Sequence, residues 1–287
     1  MEMINTRSVA ITGSGSGLGR ELALGFLKKG YRVFGTVLNP EELNAFENVP
    51  NRDRLLLSLT DITSAEQVAQ WHGKVSDLLS GRGLDLLVNN AGVLTPGPME
   101  ALSIEAIRLE FDINVIGSIR VANTFLPLLR RAKGRIVQIG SMTGTFAIPF
   151  SGPSSASKAA MESFADVYRE ELRPFGVDFI MVQPGNMLTS GPAKTAAQLK
   201  HILDTLSPEL RSLYGDRFER FSGKLNAMQA GGLPAAIAAG MIIGVAEQVP
   251  APIRVPIGED AQALLRMVKE NPDQYIDGFR AKMLDID

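Results

Sequence analysis

Short, almost wholly apolar runs alternate along this chain with longer stretches in which apolar residues recur every third or fourth position. The run Ser8, Val9, Ala10, Ile11, Thr12 leads into a glycine cluster, after which residues 18–29 place Leu22 and Phe26 at helical spacing, with Gly30 as a stop. Further strands are predicted at Arg32–Val37, Leu55–Leu59, 84–89, Arg135–Ile139 and 177–182. Between them come a turn at Asn39 and Pro40, a helical stretch from Glu41, and a helix capped by Thr63 or Ser64 that runs to Leu79. Longer helical patterns cover 104–131 and 155–173, the latter closed by Pro174. Strands alternating with helices of this length predict an α/β domain, a Rossmann-type doubly wound parallel sheet with right-handed crossovers.

The rhythm changes after Gly185. Residues 186–232 hold no clear strand, are interrupted at Gly191-Pro192 and Ser207-Pro208, and carry an apolar pattern (Leu199, Ile202, Leu203, Phe218, Phe221) that suits short helices. This segment is either an ordinary helical insertion or a lid over a ligand, since pockets in such sheets lie beyond the carboxyl ends of the strands. A helix over 234–248, a short strand near 253–255 and a helical tail complete the chain.

At 287 residues the chain fits one domain, 1–287, with 186–232 as an insertion within it. Lys and Arg number 29 against 31 Asp and Glu, so there is no basic field to attract nucleic acid. The absence of cysteine rules out disulfides, thiolate metal sites and a cysteine nucleophile, and two histidines, His72 and His201, are too few for a typical zinc site, so no metal is expected. The longest apolar run, 233–246, is shorter than a membrane span and contains Pro234. With no secretory leader evident at Met1, a cytoplasmic location is the expectation.

The glycine cluster Thr12, Gly13, Ser14, Gly15, Ser16, Gly17, Leu18, Gly19 sits between the first strand and the first helix. Glycines there allow a tight turn and let backbone approach a pyrophosphate held at a helix N-terminus. A glycine-rich loop is weak evidence alone, but its place in the first strand–turn–helix unit strengthens it.

Other stretches follow in order: Asp61 after the third strand, Asn89-Asn90-Ala91-Gly92 after the fourth, Asn114, Ser141 after the fifth, Ser157-Lys158 on the next helix, and Pro184-Gly185 after the sixth. Together with the glycine loop this series resembles the short-chain dehydrogenase/reductase family over residues 7–260. The resemblance implies that Gly13, Ser14, Ser16, Gly17, Leu18 and Gly19 follow the pyrophosphate of a nicotinamide dinucleotide. Leu38, Asp61 and Ile62 would meet its adenosine end, and Asn90, Ala91 and Gly92 the ribose region. Pro184, Gly185, Met187 and Thr189 would lie at the nicotinamide amide, and Lys158 on the nicotinamide ribose. Ser141 would hydrogen-bond a substrate carbonyl or alcohol oxygen, and Asn114 would hold a water joined to Lys158. A homodimer or homotetramer through the helices after the fourth and fifth strands is also implied.

One position departs from the family pattern Tyr-x-x-x-Lys. Ser154 stands four residues before Lys158 and thirteen after Ser141, where the family has its tyrosine, and Tyr168 is ten residues beyond Lys158. A phenol lowered by an adjacent lysine cation exchanges a proton with the substrate oxygen. A serine hydroxyl is shorter and far less acidic; it can donate a hydrogen bond, but it is a poor acid or base where a positioned one is worth about 10²–10⁴ in rate. Three explanations stand: an engineered replacement, a native chemistry using Ser154, Lys158 and water, or loss of redox function. The intact remaining motifs place the last behind the others.

Cofactor choice turns on the second strand, which ends in Val37 and Leu38 rather than in the Asp that repels a 2′-phosphate. That favours NADP over NAD, with Arg20 or Asn39 as possible helpers. His72 is expected to pack, and His201 lies in the insertion. The resulting expectation is an NAD(P)-dependent oxidoreductase interconverting a hydroxyl and a carbonyl on a small apolar molecule, with Asn114, Ser141, Ser154 and Lys158 at its site. The alternative is a dinucleotide-binding protein with a non-redox or regulatory role.

Overall fold

The computed structural model describes residues 6–188 and 191–285. Its strands are β1 (Ser8–Ile11), β2 (Arg32–Val37), β3 (Leu55–Leu59), β4 (Leu86–Asn89), β5 (Arg135–Ile139), β6 (Asp178–Pro184), β7 (Met187–Leu188), β8 (Leu233–Pro234) and β9 (Arg254–Ile257). Seven of them form one sheet in the order β3-β2-β1-β4-β5-β6-β9, parallel throughout, while β7 and β8 pair separately. The helices are α1 (Gly17–Lys28), α2 (Ala65–Leu79), α3 (Ile104–Phe111), α4 (Ser118–Ala132), α5 (Gly152–Leu172), α6 (Gly191–Thr205), α7 (Pro208–Ala230), α8 (Ala235–Glu247), α9 (Glu259–Glu270) and α10 (Asp273–Leu284).

Side chains alternate across a strand, so each apolar run feeds two cores. Val9, Ile11, Val33 and Val137 face α1 and α8, against Leu22, Phe26, Ile242 and Ile243. Their neighbours Ala10, Phe34 and Ile136 face α2, α4 and α5, against Trp71, Phe125 and Met161. A sheet covered on both faces has no use for polar alternation, which is why its strands read as continuous apolar runs. A third cluster lies beyond the strand ends: Leu199, Phe218, Phe221 and Leu225 of α6 and α7 pack with Phe146 and Ile148 and with Leu264 and Ile276 of α9 and α10.

Four features differ from the sequence reading. The pattern over 104–131 is divided, because α3 and α4 are joined by a π-helical turn, Asp112–Gly117. Helix α5 begins three residues early, at Gly152, with Pro153 in its first turn, where the missing N–H is harmless. Ser207 and Pro208 start a helix rather than break one: the Ser207 hydroxyl accepts from Leu210 N at 3.2 Å, and α7 then runs for 23 residues. The β7–β8 pair brackets the insertion and is too short to show in the sequence. No helix among the described residues is long and apolar enough to cross a membrane.

Phe26 is 0% exposed at the centre of the α1–α8 core, so Phe26→Ala is expected to cost about 3–5 kcal/mol in urea denaturation. Leu213→Ala, at an exposed position on α7, should stay within about 0.5 kcal/mol of the parent.

Candidate active site

The sheet order reverses between β1 and β4, and the loops leaving those two strands part to form a groove. Thr12 holds the two sides together: its hydroxyl oxygen accepts from Asn90 N at 2.9 Å and Ala91 N at 3.0 Å. Asn90 answers by donating its amide to the carbonyls of Thr12 and Gly13, at 3.0 and 3.1 Å. Gly13 is left-handed (φ +65°), and a Cβ on Gly19 would lie 2.0 Å from the Gly13 carbonyl oxygen. Only glycine permits this closure between loop and helix.

The groove encloses about 360 Å³ and is walled by the glycine loop, the ends of β2 and β3, and residues after β4. Ser16 stands exposed at the N-cap of α1 with its hydroxyl uncommitted, and the first turn of α1 carries no acidic residue. The helix therefore presents free N–H groups and an uncompensated positive end, which suits a pyrophosphate. Gly13, Gly17, Leu18, Gly19, Leu38, Asp61, Ile62, Asn90, Ala91, Gly92 and Met187 also line the groove. Its shape and donors fit a dinucleotide.

Some expected residues are placed otherwise. Ser14 is fully buried, its hydroxyl donating to Ile11 O at 3.1 Å, because that contact closes the turn leaving β1. Asn90 lines the groove while its amide group serves the latch. Pro184 ends β6, and Gly185 follows it, packed against the Asp260 carboxylate; Met187, two residues on, lines the groove. Arg20 pairs with Glu21 and lies over Phe46. Thr189 lies outside the described residues. His72 packs edge-on to Phe125, and His201 is exposed on α6.

Where the groove passes Gly92, a second set of side chains converges. A Cβ on Gly92 would lie 3.1 Å from Asn114 Oδ1 and 3.6 Å from Lys158 Nζ. The Lys158 ammonium donates to Ile139 O at 3.0 Å, two residues before Ser141. Burial lowers its pKa to about 8, against an opposing pull from Glu110. The Ser141 hydroxyl accepts from Thr143 N at 3.1 Å and Thr143 Oγ1 at 2.9 Å, which fixes its oxygen and leaves its proton to donate. Asn114 sits in the π turn. Its Oδ1 accepts from Val93 N at 2.8 Å, and its amide donates to Val93 O, Ser157 Oγ and Glu110 Oε1 at 3.0, 3.0 and 3.2 Å. Tyr168 takes no part, since its hydroxyl donates to Asn123 and its ring stacks on Phe179.

Two acidic residues were not singled out from the sequence. Glu110 is 0% exposed on α3, beside Asn114. Burial raises its carboxyl pKa, while Thr95, Lys158 and Ser154 pull it down. Glu42 reaches back from the 3₁₀ turn after β2 to accept from Leu38 N at 2.9 Å, and its carboxylate lies over Gly15 at the adenosine end of the groove. The spacing Asn39-x-x-Glu42, with the carboxylate returning to the turn's first N–H groups, is the signal that could have found it.

Residues 7–200 match the family described as short chain dehydrogenase. Relatives include the NADPH-dependent 3-dehydrocapnine reductase of Ornithobacterium rhinotracheale, 32% identical over 243 residues and 82% of each chain. Estradiol 17-beta-dehydrogenase 2 of Mus musculus is 34% identical over 220 residues; the match covers 75% of this chain but 58% of the mouse protein. Among solved structures, a short-chain dehydrogenase from Streptomyces avermitilis superposes with a TM-score of 0.76 at 24% identity, over 98% of this chain and 96% of that one. Another from Burkholderia cenocepacia, in complex with NADP, gives 0.72 at 25% identity over 98% of both.

Lys158 carries a checkable consequence. Unfolded, it keeps its proton up to the ordinary value of 10.5; folded, it releases it near about 8. Unfolding therefore takes up a proton between those values, and this residue's contribution makes the protein more stable as pH rises through that window. Denaturation of the parent and of Lys158→Met on either side of the window should show the parent gaining relative to the variant. Parallel curves would mean that the lysine is not desolvated.

Proposed function

The chain belongs to the short-chain dehydrogenase family, and from that premise we propose that it is an NAD(P)-dependent oxidoreductase interconverting a hydroxyl and a carbonyl on a small apolar molecule. The observation that carries this is the meeting of the dinucleotide-shaped groove with Lys158 and Asn114 at Gly92, beside the end of β5 that bears Ser141. A nicotinamide dinucleotide in the groove would supply or accept the hydride. Ser16 and the first turn of α1 would hold its pyrophosphate, Asp61 and Ile62 would flank the adenine, and Lys158 would hold the nicotinamide ribose. Ser141 donates a hydrogen bond to the substrate oxygen, and Ser154 occupies the place of the family's phenol.

NADP is favoured over NAD by the absence of an acid at Val37 and Leu38 and by the NADP found in the similar Burkholderia structure. At that end of the groove Glu42 opposes a 2′-phosphate by like charge, and Asp61 is a second carboxylate on the same wall.

The apolar substrate is supported by an open chamber of about 1120 Å³ whose lining includes Met142, the residue after Ser141, together with Met228, Leu233, Met241, Met267 and Met283, beside a polar edge of Asn186, Glu259, Asp260 and Gln262. Thioethers fit irregular apolar shapes well. We assign 186–232 as the lid on the loop that follows Gly92: Gln198 of α6 donates to Leu94 O at 3.4 Å, and Tyr214 of α7 donates to Glu100 at 2.8 Å, so both helices touch the loop after β4. Exposed Leu109, Ile116, Phe164 and Val167 on the helices after β4 and β5 suit a homo-oligomer contact.

NADPH and NADH oxidation with a panel of apolar ketones, by the parent and by Ser154→Tyr, tests the reading. Turnover by either is expected, and Ser141→Ala should lower it about 10²–10³-fold with cofactor affinity unchanged. Tight cofactor binding without turnover by both parent and Ser154→Tyr would favour a regulatory dinucleotide-binding protein instead. Glu42→Gln should tighten NADPH binding about tenfold, as expected for about 1.4 kcal/mol of relieved repulsion, and leave NADH nearly unchanged; equal effects on both would remove Glu42 from cofactor choice.

A further inference from the structure

The methionine-lined chamber is too large to be a fault of packing. At about 1120 Å³ it exceeds the range of about 300–1,000 Å³ that holds a drug-sized ligand, whereas protein interiors leave few voids larger than a water. Its walls come from a different part of the chain than those of the dinucleotide groove. The groove is lined by residues 13–113 and Met187. The chamber takes Met142 and Ile148 from the segment after β5 and Asn186 from the end of β6, and its other described lining residues fall within 227–283. Those three alone lie inside the family-matched segment 7–200, so the chamber's shape is set mainly by sequence beyond it. The two spaces meet at one backbone step, with Asn186 on the chamber and Met187 on the groove. The β7–β8 pair holds that step: Leu233 N donates to Asn186 O at 2.8 Å, and a Cβ on Gly232 would lie 2.7 Å from that same oxygen.

We infer that the chamber is a subsite for an extended, uncharged apolar tail, so that the substrate is a long-chain carbonyl compound with its carbonyl at Ser141 and its far end among Met241, Met267 and Met283. The inference rests on the redox reading above and deepens it by naming the substrate class. Two lining residues stand next to the reaction centre. Met142 follows Ser141, and Ile148 N donates at 3.1 Å to the hydroxyl of Ser155, the residue after Ser154. Five of the chain's eleven methionines line the chamber. Unbranched thioethers mould to a flexible chain better than branched side chains with one preferred rotamer do. Met241 is 38% exposed and lies one turn from Ile237, 55% exposed, so the apolar lining continues to the protein surface on that side.

Charge selects against an anionic end on that tail. Among the described residues no Lys, Arg or His lines the chamber, while Glu259 and Asp260 stand on its edge. Asp260 is committed, because its Oδ2 accepts from Asn186 N at 2.8 Å and from the Asn186 amide at 3.1 Å, which pins the step between chamber and groove. Glu259, exposed in the first turn of α9, is left to face whatever fills the chamber. A terminal carboxylate or phosphate there meets like charge with no cation in the lining to offset it.

The test is a series of methyl ketones from butan-2-one to dodecan-2-one, with 11-oxododecanoate as the anionic counterpart of the longest. NADPH-dependent reduction by the parent and by Ser154→Tyr should show kcat/KM rising about two- to fourfold per added methylene until the chamber is filled. The anionic ketone should fall about tenfold below dodecan-2-one. Met241→Trp fills the chamber from α8 and should lower the dodecan-2-one to butan-2-one ratio of kcat/KM about tenfold, the loss of about two buried methylenes. Ala263→Leu, at an exposed lining position on α9, adds bulk from the other side and should move the ratio the same way. Glu259→Gln should raise the ratio of 11-oxododecanoate to dodecan-2-one about fivefold. A flat chain-length series, or ratios unmoved in both filling variants, overturns the tail subsite and leaves the redox reading standing. Calorimetry with decan-2-one reads the chamber without turnover: the parent should bind it, and Met241→Trp about tenfold more weakly. Absence of that binding overturns the subsite. Binding without reduction by either the parent or Ser154→Tyr would instead bring down the redox reading, and the substrate role with it, while leaving the chamber as a site for the same chain.

Discussion

The Thr12–Asn90 latch is the contact on which the rest of the groove depends. An open parallel sheet has one place where the chain changes direction of winding, and there the loops leaving β1 and β4 diverge. Loops that part also leave backbone donors unpaired, and Thr12 satisfies two of them with one oxygen while the Asn90 amide satisfies two carbonyls. With both sides pinned, Gly13 and Gly19 can approach each other, and the first turn of α1 is aimed into the opening. The ribose-side asparagine of the sequence reading is thus a structural part that makes the binding surface.

A second constraint is electrostatic. Glu110 and Lys158 are both drawn out of water at the end of the groove, and burial shifts each towards its neutral form while the partner opposes the shift. Two groups in this condition sit nearer to exchanging protons at ordinary pH than they would in solvent. The π turn contributes by setting Asn114 where its amide spans Val93, Ser157 and Glu110 at once. π turns of this kind occur often at functional positions, because the extra residue per turn re-aims a side chain without ending the helix.

The third cluster separates specificity from scaffold. Its aromatic residues on α7 pack against the segment after β5, where Phe150 adopts a left-handed backbone (φ +61°) and rests on Phe218 and Phe221. The insertion is therefore attached to the same loop that carries Ser141 and leads into Ser154. A change in how α6 and α7 sit would be felt at the chemistry through packing, and the methionine-rich chamber beside them can reshape at little cost.

The sequence alone determined the sheet, the glycine loop and the ordered series from Asp61 to Lys158. The bounds of β2, β3 and β5 were legible to the residue, because a strand buried on both faces must be apolar throughout and polar residues mark its ends. The substitution of Ser154 was legible for the same reason that spacing along a helix is: Ser141, Ser154 and Lys158 keep their offsets. Tertiary structure decided that a buried carboxyl group lies against Asn114. A glutamate four residues before Asn114 on a helical pattern reads as a solvated face, and only the rotation of α3 shows that Leu109 takes the solvent and Glu110 the interior. Glu42 likewise reads as the first turn of a surface helix until its carboxylate is seen over Gly15. Local pattern fixes which residues form an element; which of its faces meets a charge is set by partners distant in the chain.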